Sequence, residues 1–376
     1  MNIVSHPATR AIIDLQNLAF NFRNIRDAVA PARVIAVVKA DAYGHGALAV
    51  ANHLAEAGAD LFAVARLDEA LELRDSGFLR PILLFGRLFA HEIPVAAGAG
   101  LRISVFDPRD VDWIEAARVD EPVPVHVKVD TGMGRVGVLW EQAPELFERL
   151  RKCGRCVVEG VYSHFATSDE ADKRYAELQL RRFNDLLEKL EGAGLRPPMV
   201  HMANSGAVLD MPDSRFDAVR PGIILYGHYP SGETSRSIAL RQVMTLETRV
   251  SHVRRLPAGF PISYGRRYTT CSETRVAVLP IGYADGVRRA LTNRGHVLIG
   301  GQTYPMVGTI TMDQLVVEIG EGAVSVGDRA VLWGRDGRRS IQALDVAAAI
   351  DTIPYELTCG VTRRVPRVYA GGTHGG

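Results

Sequence analysis

Val34-Ile35-Ala36-Val37-Val38-Lys39 is a run of five apolar residues, mostly β-branched, that stops on a cation. It has no polar face to turn toward water, so it reads as a strand buried on both sides, as in a parallel sheet covered by helices. Ahead of it, Leu15, Leu18, Phe22, Ile25 and Val29 recur at intervals of three and four, which sets one helical stripe against a core. Behind it, strand-like runs lie near 61–64, 82–85, 102–105, 123–129, 157–162, 199–203 and 217–225. Helical patterns separate several of them, including 169–191, where Leu178, Phe183, Leu186, Leu187 and Leu190 share a broad apolar face. Strands and helices alternating in this way over about 230 residues predict an α/β chain with a closed eight-fold β/α barrel. A doubly wound sheet is the competing arrangement, but no glycine fingerprint for a dinucleotide follows the first strand.

The pattern changes after His228-Tyr229-Pro230-Ser231-Gly232. Short alternating strands at Leu246–Val253, Thr274–Leu279 and Leu315–Ile319 are separated by Gly, Pro and Asp turns, and Val324–Asp328 reads as a turn ahead of a strand at Arg329–Leu332. We therefore divide the chain into a barrel at 1–235 and a second, smaller, mostly β domain at 236–376, with the extended stretch Ala11–Asp14 available to pack on the second domain. The terminal Gly-Gly-Thr-His-Gly-Gly at 371–376 offers little apolar surface to offset its entropy and is expected to be mobile.

The 44 basic and 43 acidic side chains of the 376-residue chain nearly cancel, with no basic arm, which speaks against a nucleic-acid partner. Met1–Asp14 lacks the charged, apolar and small-residue segments of a signal peptide, and no run of 18 apolar residues follows, so a cytoplasmic location without membrane insertion is expected. Cys153 and Cys156 form one CxxC pair, while Cys271 and Cys359 stand apart. A structural zinc site needs four ligands, so no metal is expected and the cysteines read as ordinary thiols.

Reactive side chains gather where strands end. Lys39 closes the first strand, and in a β/α barrel the carboxyl ends of the strands form the rim that carries chemistry. An apolar approach lowers the cost of holding its amine neutral and nucleophilic; the bland alternative is a charged tip snorkelling out of the core. Arg135 follows the run Val123–Val127, His164 follows Val161-Tyr162-Ser163, Asn204-Ser205-Gly206 follows Val200-His201-Met202-Ala203, and Arg220 leads into Pro221-Gly222-Ile223. Taken singly, His164 reads as a satisfied core histidine, Ser205 as a helix cap and Arg220 as a paired strand-end charge. Their recurrence at one rim suits an anion: the backbone at Gly222-Ile223 and the Ser205 hydroxyl for a phosphate, and cations around it.

Two stretches are specific. Ala36-Val37-Val38-Lys39-Ala40-Asp41-Ala42-Tyr43-Gly44-His45-Gly46 resembles the cofactor-lysine region of the alanine racemase family, and Ser263-Tyr264-Gly265 resembles that family's catalytic-tyrosine region. The similarity continues through Asp130–Arg135, Val219–Ile223, Gly282–Gly286, Met312-Asp313 and Pro354–Glu356, and so spans nearly the whole chain. The resemblance implies a pyridoxal 5'-phosphate-dependent isomerase that interconverts L-alanine and D-alanine, works as a homodimer with shared active sites, and supplies D-alanine for peptidoglycan. It assigns Lys39 and Tyr264 as the two acid/base groups, Tyr264 coming from the other subunit. It makes Tyr43, Ser205, Gly222, Ile223 and Tyr355 phosphate contacts, sets Arg220 against the pyridine nitrogen with His164 orienting it, and brings Arg135 to the ring hydroxyl and substrate carboxylate. Met312 and Asp313 would frame the substrate, and Tyr283 and Arg289 would flank the entrance. Lys128 aligns with a lysine that is carbamylated in some relatives, where it fixes the arginine at position 135. Thr309 departs from relatives that carry arginine at this part of the entrance, and a hydroxyl cannot reproduce that charge or fork; Arg266 and Arg267 are nearby cations. A racemase accepting serine or larger amino acids carries the same motifs. A non-catalytic pyridoxal-phosphate-binding barrel would resemble only the first domain.

Overall fold

The computed structural model describes residues 7–371, so Gly371 falls within it and the remainder of the 371–376 tail, like Met1–His6, lies outside the described residues. Eight parallel strands close into a barrel in the order Arg33–Val37, Leu61–Val64, Ile82–Leu84, Arg102–Val105, Val123–Asp130, Cys156–Tyr162, Met199–His201 and Ala218–Val219, the last pairing back to the first. Most of their side chains are buried on both faces, as in the first strand, where Val34 to Val37 are all buried, although the entry half of Cys156–Tyr162 is partly exposed. That double burial is why the strands appear in the sequence as unbroken apolar runs.

One of those runs is misleading. The stretch 217–225 is apolar throughout its second half, yet only Ala218–Val219 pairs with neighbours. Pro221 has no N–H to give to a ladder, and the chain turns at once, with Leu225 N donating to Gly222 O and Tyr226 N to Ile223 O. Ile223, Ile224, Leu225 and Tyr226 are fully buried all the same, so their hydrophobicity reflects packing in a turn and not strand pairing.

The second part of the chain is built on antiparallel strands, and the earliest described strand belongs to it. Arg10–Asp14 pairs antiparallel with Met244–Arg249 and parallel with Arg367–Ala370. Asp14 then caps the helix Leu15–Val29, its Oδ1 accepting from Asn17 N at 2.9 Å, and that helix lays its apolar stripe on the barrel. The expected strand Leu246–Val253 is two strands, Met244–Arg249 and His252–Leu256, in different sheets. Val250 N bonds to Asp328 O and Ser251 N to Val278 O, so consecutive residues leave one ladder and enter another. A main core runs through both parts of the chain, and a small satellite of Leu256, Ile262, Val276 and Val307 sits apart beneath the segment that carries Tyr264. Among the described residues no helix is long and apolar enough to cross a membrane.

Candidate active site

Lys39 is the second residue past the first strand's exit, and the backbone after it is unusual. Ala40, Asp41, Ala42 and Tyr43 all have φ between 52° and 55°, one turn of left-handed helix made without glycine. Each such residue costs roughly 1–2 kcal/mol for an L-amino acid, so the turn persists only because its surroundings hold it. Glu69 accepts from Ala40 N at 2.6 Å, Asp41 accepts from Ala47 N at 2.7 Å, and His45 Nδ1 lies 3.0 Å from both Ala42 O and Tyr43 O. Gly44 ends the turn where a Cβ would meet Thr358 O at 2.1 Å. This close approach packs the turn against the helix Pro354–Cys359, which carries Tyr355.

Lys39 and Tyr43 face a cavity of about 190 Å³ at the carboxyl ends of the strands, where Lys128, Arg135, His164, Ser205, Arg220, Gly222 and Tyr355 also line the wall. Four of these are cations, and no carboxylate is among the described lining residues. Burial, and then the Arg135 guanidinium, lower the Lys39 amine from its ordinary value. Lys128 is held down to about 7, by burial first and Arg220 second, and its Nζ donates to Val129 O at 2.7 Å. Arg135 reaches the cavity from a turn built on Asp130, whose carboxylate accepts from the amides of Gly132, Met133 and Gly134.

Arg220 is 4% exposed and its fork is fully engaged on one side. Nη2 donates to Ser163 O at 2.6 Å and Met202 O at 3.0 Å and lies 3.3 Å from His164 Nδ1, while Nη1 lies 2.9 Å from His201 Nδ1. His201 is thus a second and closer imidazole on Arg220, one that sequence reasoning missed. His201 Nε2 in turn lies 2.9 Å from Nδ1 of His126, whose Nε2 faces Glu159 at 3.9 Å. Because arginine only donates, His201 must accept on Nδ1 and carry its proton on Nε2, which fixes His126 as the acceptor on its own Nδ1. Burial, followed by Arg220, holds both His164 and His201 well below the usual imidazole value, so both are neutral acceptors. Tyr162, also missed, stacks on His201 at 4.9 Å and 4° and presents its ring to Arg220 at 5.2 Å and to Lys128 at 5.6 Å. A histidine inside the buried runs Val123–Val127 and Met199–Met202 is a polar group that must find a partner, and that was the available signal.

At the opposite end of the cavity, Ser205 Oγ accepts from Gly222 N at 2.9 Å. A Cβ on Gly222 would stand 2.2 Å from the Tyr43 hydroxyl, so the bare backbone here is a cradle that a side chain would fill. Burial raises the Tyr43 and Tyr355 phenols far above their ordinary value, leaving both as protonated donors. Ile223 is fully buried directly after this cradle.

The remaining predicted residues do not line this cavity. Tyr264 is 75% exposed and borders a separate groove of about 390 Å³ with Ser263, Thr309, Thr311 and Gln314. Met312 is 52% exposed, and Asp313 is an exposed partner of Arg364 at 2.8 Å. Tyr283, Arg289, Arg266 and Arg267 are exposed as well. Thr309, by contrast, is buried, and its hydroxyl is turned onto the backbone of Tyr264. Ser263 precedes Tyr264 at φ 62° and ψ −174°, a region costing a non-glycine residue about 1–3 kcal/mol.

A closed barrel whose strand ends surround a lysine, three further cations and a glycine cradle defines an enzyme of the β/α-barrel class suited to a small anionic ligand. The profile described as "Alanine racemase, N-terminal domain" matches residues 13–230, and that of "Alanine racemase, C-terminal domain" matches residues 243–369. The chain belongs to the alanine racemase family. It is 42% identical over 366 residues to alanine racemase 2 of Caldanaerobacter subterraneus subsp. tengcongensis, covering 96% of this chain and 94% of the relative. To the alanine racemase of Methanococcus maripaludis it is 42% identical over 373 residues, covering 98% and 100%. Among solved structures, the alanine racemase from D-cycloserine-producing Streptomyces lavendulae superposes with a TM-score of 0.92 at 38% identity, covering 98% of each chain. The Bacillus anthracis alanine racemase with bound L-Ala-P superposes with a TM-score of 0.91 at 36% identity, covering 98% of this chain and 96% of that one.

Proposed function

We propose that the protein interconverts L-alanine and D-alanine with pyridoxal 5'-phosphate, as a homodimer in which each active site joins the Lys39 cavity of one subunit to the partner subunit's Tyr264, and that it supplies D-alanine for peptidoglycan in the cytoplasm. The observation that carries this reading is the division of the acid/base pair: Lys39 lies in a cation-rich cavity, while Tyr264 stands 75% exposed on a different surface of the same chain. When bound, the cofactor supplies a carbonyl carbon for the amine and a conjugated ring that draws electrons from the α carbon.

The donor set fits that group. Tyr43, Ser205, Tyr355 and the backbone at Gly222-Ile223 would hold a phosphate in the cradle that a Cβ on Gly222 would fill. Arg220 would meet the ring nitrogen. Its guanidinium, lowered to about 10 by burial, is still charged at neutral pH and has only protons to donate, with neutral His164 and His201 behind it. Arg220 would therefore disfavour protonation of a nitrogen facing it, which would limit electron withdrawal from the α carbon and favour quick return of the proton to either face.

Lys39 holds or moves the α proton on one face of the substrate, its amine eased toward the neutral form by burial and Arg135. The partner subunit's Tyr264 does the same on the opposite face. Inversion needs two such groups, because one group returning its own proton restores the starting configuration. Arg135 would hold the substrate carboxylate, with Met312 and Asp313 of the second subunit closing over a small side chain and Tyr283 and Arg289 at the entrance. Lys128, at about 7, has the neutral amine that a carbamate requires, and as a carbamate it would fix Arg135.

The test is racemisation of L-alanine, L-serine and L-lysine by the purified cofactor-loaded protein, with each D product followed separately, alongside Tyr264→Phe. Rapid turnover of alanine, lost in Tyr264→Phe while cofactor binding persists, is the expected result. Equal rates on all three amino acids would replace alanine with a broad range, and an inactive protein with bound cofactor would sink the racemase reading.

A further inference from the structure

Tyr264 receives little support from its own side-chain surroundings. Its ring is 75% exposed, so its direction depends on the backbone that carries it. That backbone is unfavourable in itself: Ser263 and Arg266, neither a glycine, have φ of 62° and 47°. Left to local preference, such a turn relaxes.

Two hydroxyls oppose the relaxation from one neighbouring segment. Ser263 Oγ donates to Thr309 O at 2.6 Å, and Thr309 Oγ1 donates to Tyr264 O at 2.7 Å. Each residue thus spends its single hydroxyl proton on the other's segment, one bond on each side of the Ser263–Tyr264 peptide. The segment bearing Thr309 is itself fixed. Gly308 N donates to Asn293 Oδ1 at 2.7 Å, Asn293 Nδ2 donates to Arg267 O at 3.0 Å, and Ile310 N donates to Thr292 Oγ1 at 3.2 Å. Gly308, at φ 75°, lies so near Ile262 that a Cβ there would meet Ile262 O at 2.8 Å. Thr309 is 4% exposed, so water does not compete for its hydroxyl. An arginine at this position, as the relatives noted above carry, has no short hydroxyl on Cβ and cannot make this bond.

We propose that Thr309 is a positioning residue for Tyr264, its hydroxyl acting with that of Ser263 as a reciprocal clamp that aims the phenol at the other subunit's site. This rests on the reading of Tyr264 as an acid/base group. The residue at this position therefore acts through the aim of the tyrosine, and not as an exposed lining of the entrance.

Thr309→Val keeps the shape and removes the donor, Thr309→Ser keeps the donor, and Tyr264→Phe is the reference, all as cofactor-loaded protein. For Thr309→Val, kcat is expected to fall about 10- to 100-fold, the range that a misplacement of about 1 Å brings, with KM within about two-fold. The α-deuterium isotope effect should rise in one reaction direction only, since only one of the two acid/base groups is displaced. Amide exchange over 262–268 should accelerate about ten-fold, independent of turnover, while cofactor absorbance and Tm hold. Thr309→Ser should restore all of these. Unchanged kcat and exchange in Thr309→Val, beside an inactive Tyr264→Phe, would overturn the clamp alone. Equal isotope effects in both directions with a lowered Tm would reduce Thr309 to general scaffolding and also overturn it. Full turnover by Tyr264→Phe would instead overturn the assignment of Tyr264, while exchange would still report whether the two hydroxyls hold the turn.

Discussion

Acidification should destabilise this protein through two histidines beneath the Lys39 turn. His45 is fully buried, with Nδ1 on two carbonyls of the left-handed turn and its ring 4.6 Å from that of Tyr226. Burial first, then His228, and more weakly Arg367, hold it at about 3 against the bonds to Tyr43 O and Ala42 O, which raise it. Burial alone holds His228 at about 4. Neither Nε2 has a hydrogen-bond partner among the described residues. In the unfolded chain both titrate near 6.5. Between that value and the folded values the unfolded state binds protons that the folded state refuses, so the stability these two groups contribute is complete above about pH 6.5 and falls as pH drops below it. At pH 5 each group has cost about 2 kcal/mol, from roughly 1.5 pH units at about 1.4 kcal/mol each, and the pair about 4 kcal/mol. That is a large share of a typical total of about 5–15 kcal/mol. Urea unfolding of the holoenzyme at fixed protein concentration, at pH 7.5, 6.5, 5.5 and 5.0, measures the loss, and His228→Gln should lessen it by about 2 kcal/mol. A stability that stays flat from pH 6.5 to 5.0, or an unchanged slope in His228→Gln, would show that these imidazoles are not the buried neutral groups described.

Further expectations concern the cavity. Gly222→Ala sets a Cβ 2.2 Å from the Tyr43 hydroxyl, and absorbance titration should show cofactor affinity reduced by at least about ten-fold, equivalent to about 1.4 kcal/mol. Gly160→Ala places a Cβ 2.4 Å from His126 Nδ1; it should displace His126 from His201 and cost about 1–3 kcal/mol in thermal unfolding, with kcat falling as Arg220 loses its support. Holoenzyme equilibrated with 13C-bicarbonate should show a carbamate carbon resonance that is absent from Lys128→Arg, because a guanidinium offers no neutral amine.

The barrel could be read from the sequence because strands buried on both faces leave no polar alternation, and Val34–Val38 and Leu61–Val64 advertise this directly. Where the same signal comes from packing alone, as at Ile223–Tyr226, it overstates the strand. The strand-end residues Lys39, Arg135, His164, Ser205 and Arg220 were legible because barrel topology sends such positions to one rim, and they line one cavity. His126 and His201 were not, since their meeting depends on the register across neighbouring strands. The left-handed turn was hidden too: Ala40, Asp41 and Ala42 carry none of the glycine that usually marks positive φ, and what enforces it is Glu69, 29 residues away. For Thr309, the resemblance supplied a place at the entrance, but only the folded chain turns its hydroxyl onto Tyr264 O.

The early strand Arg10–Asp14 has a consequence for how the chain is made. Its antiparallel mate includes Glu247, 237 positions downstream of Arg10, and its other neighbour, Arg367–Ala370, is made later still. At synthesis rates of about 5–20 residues per second, this strand waits about 10–50 s before its first ladder exists. Throughout that interval an apolar edge with Ala11 and Ile13 has no sheet to join, while the barrel beside it is already being completed. The sheet is therefore closed by segments far apart in sequence, so that deleting Arg10–Asp14 or Arg367–Ala370 should leave both the sheet and the barrel's first helix without their anchor.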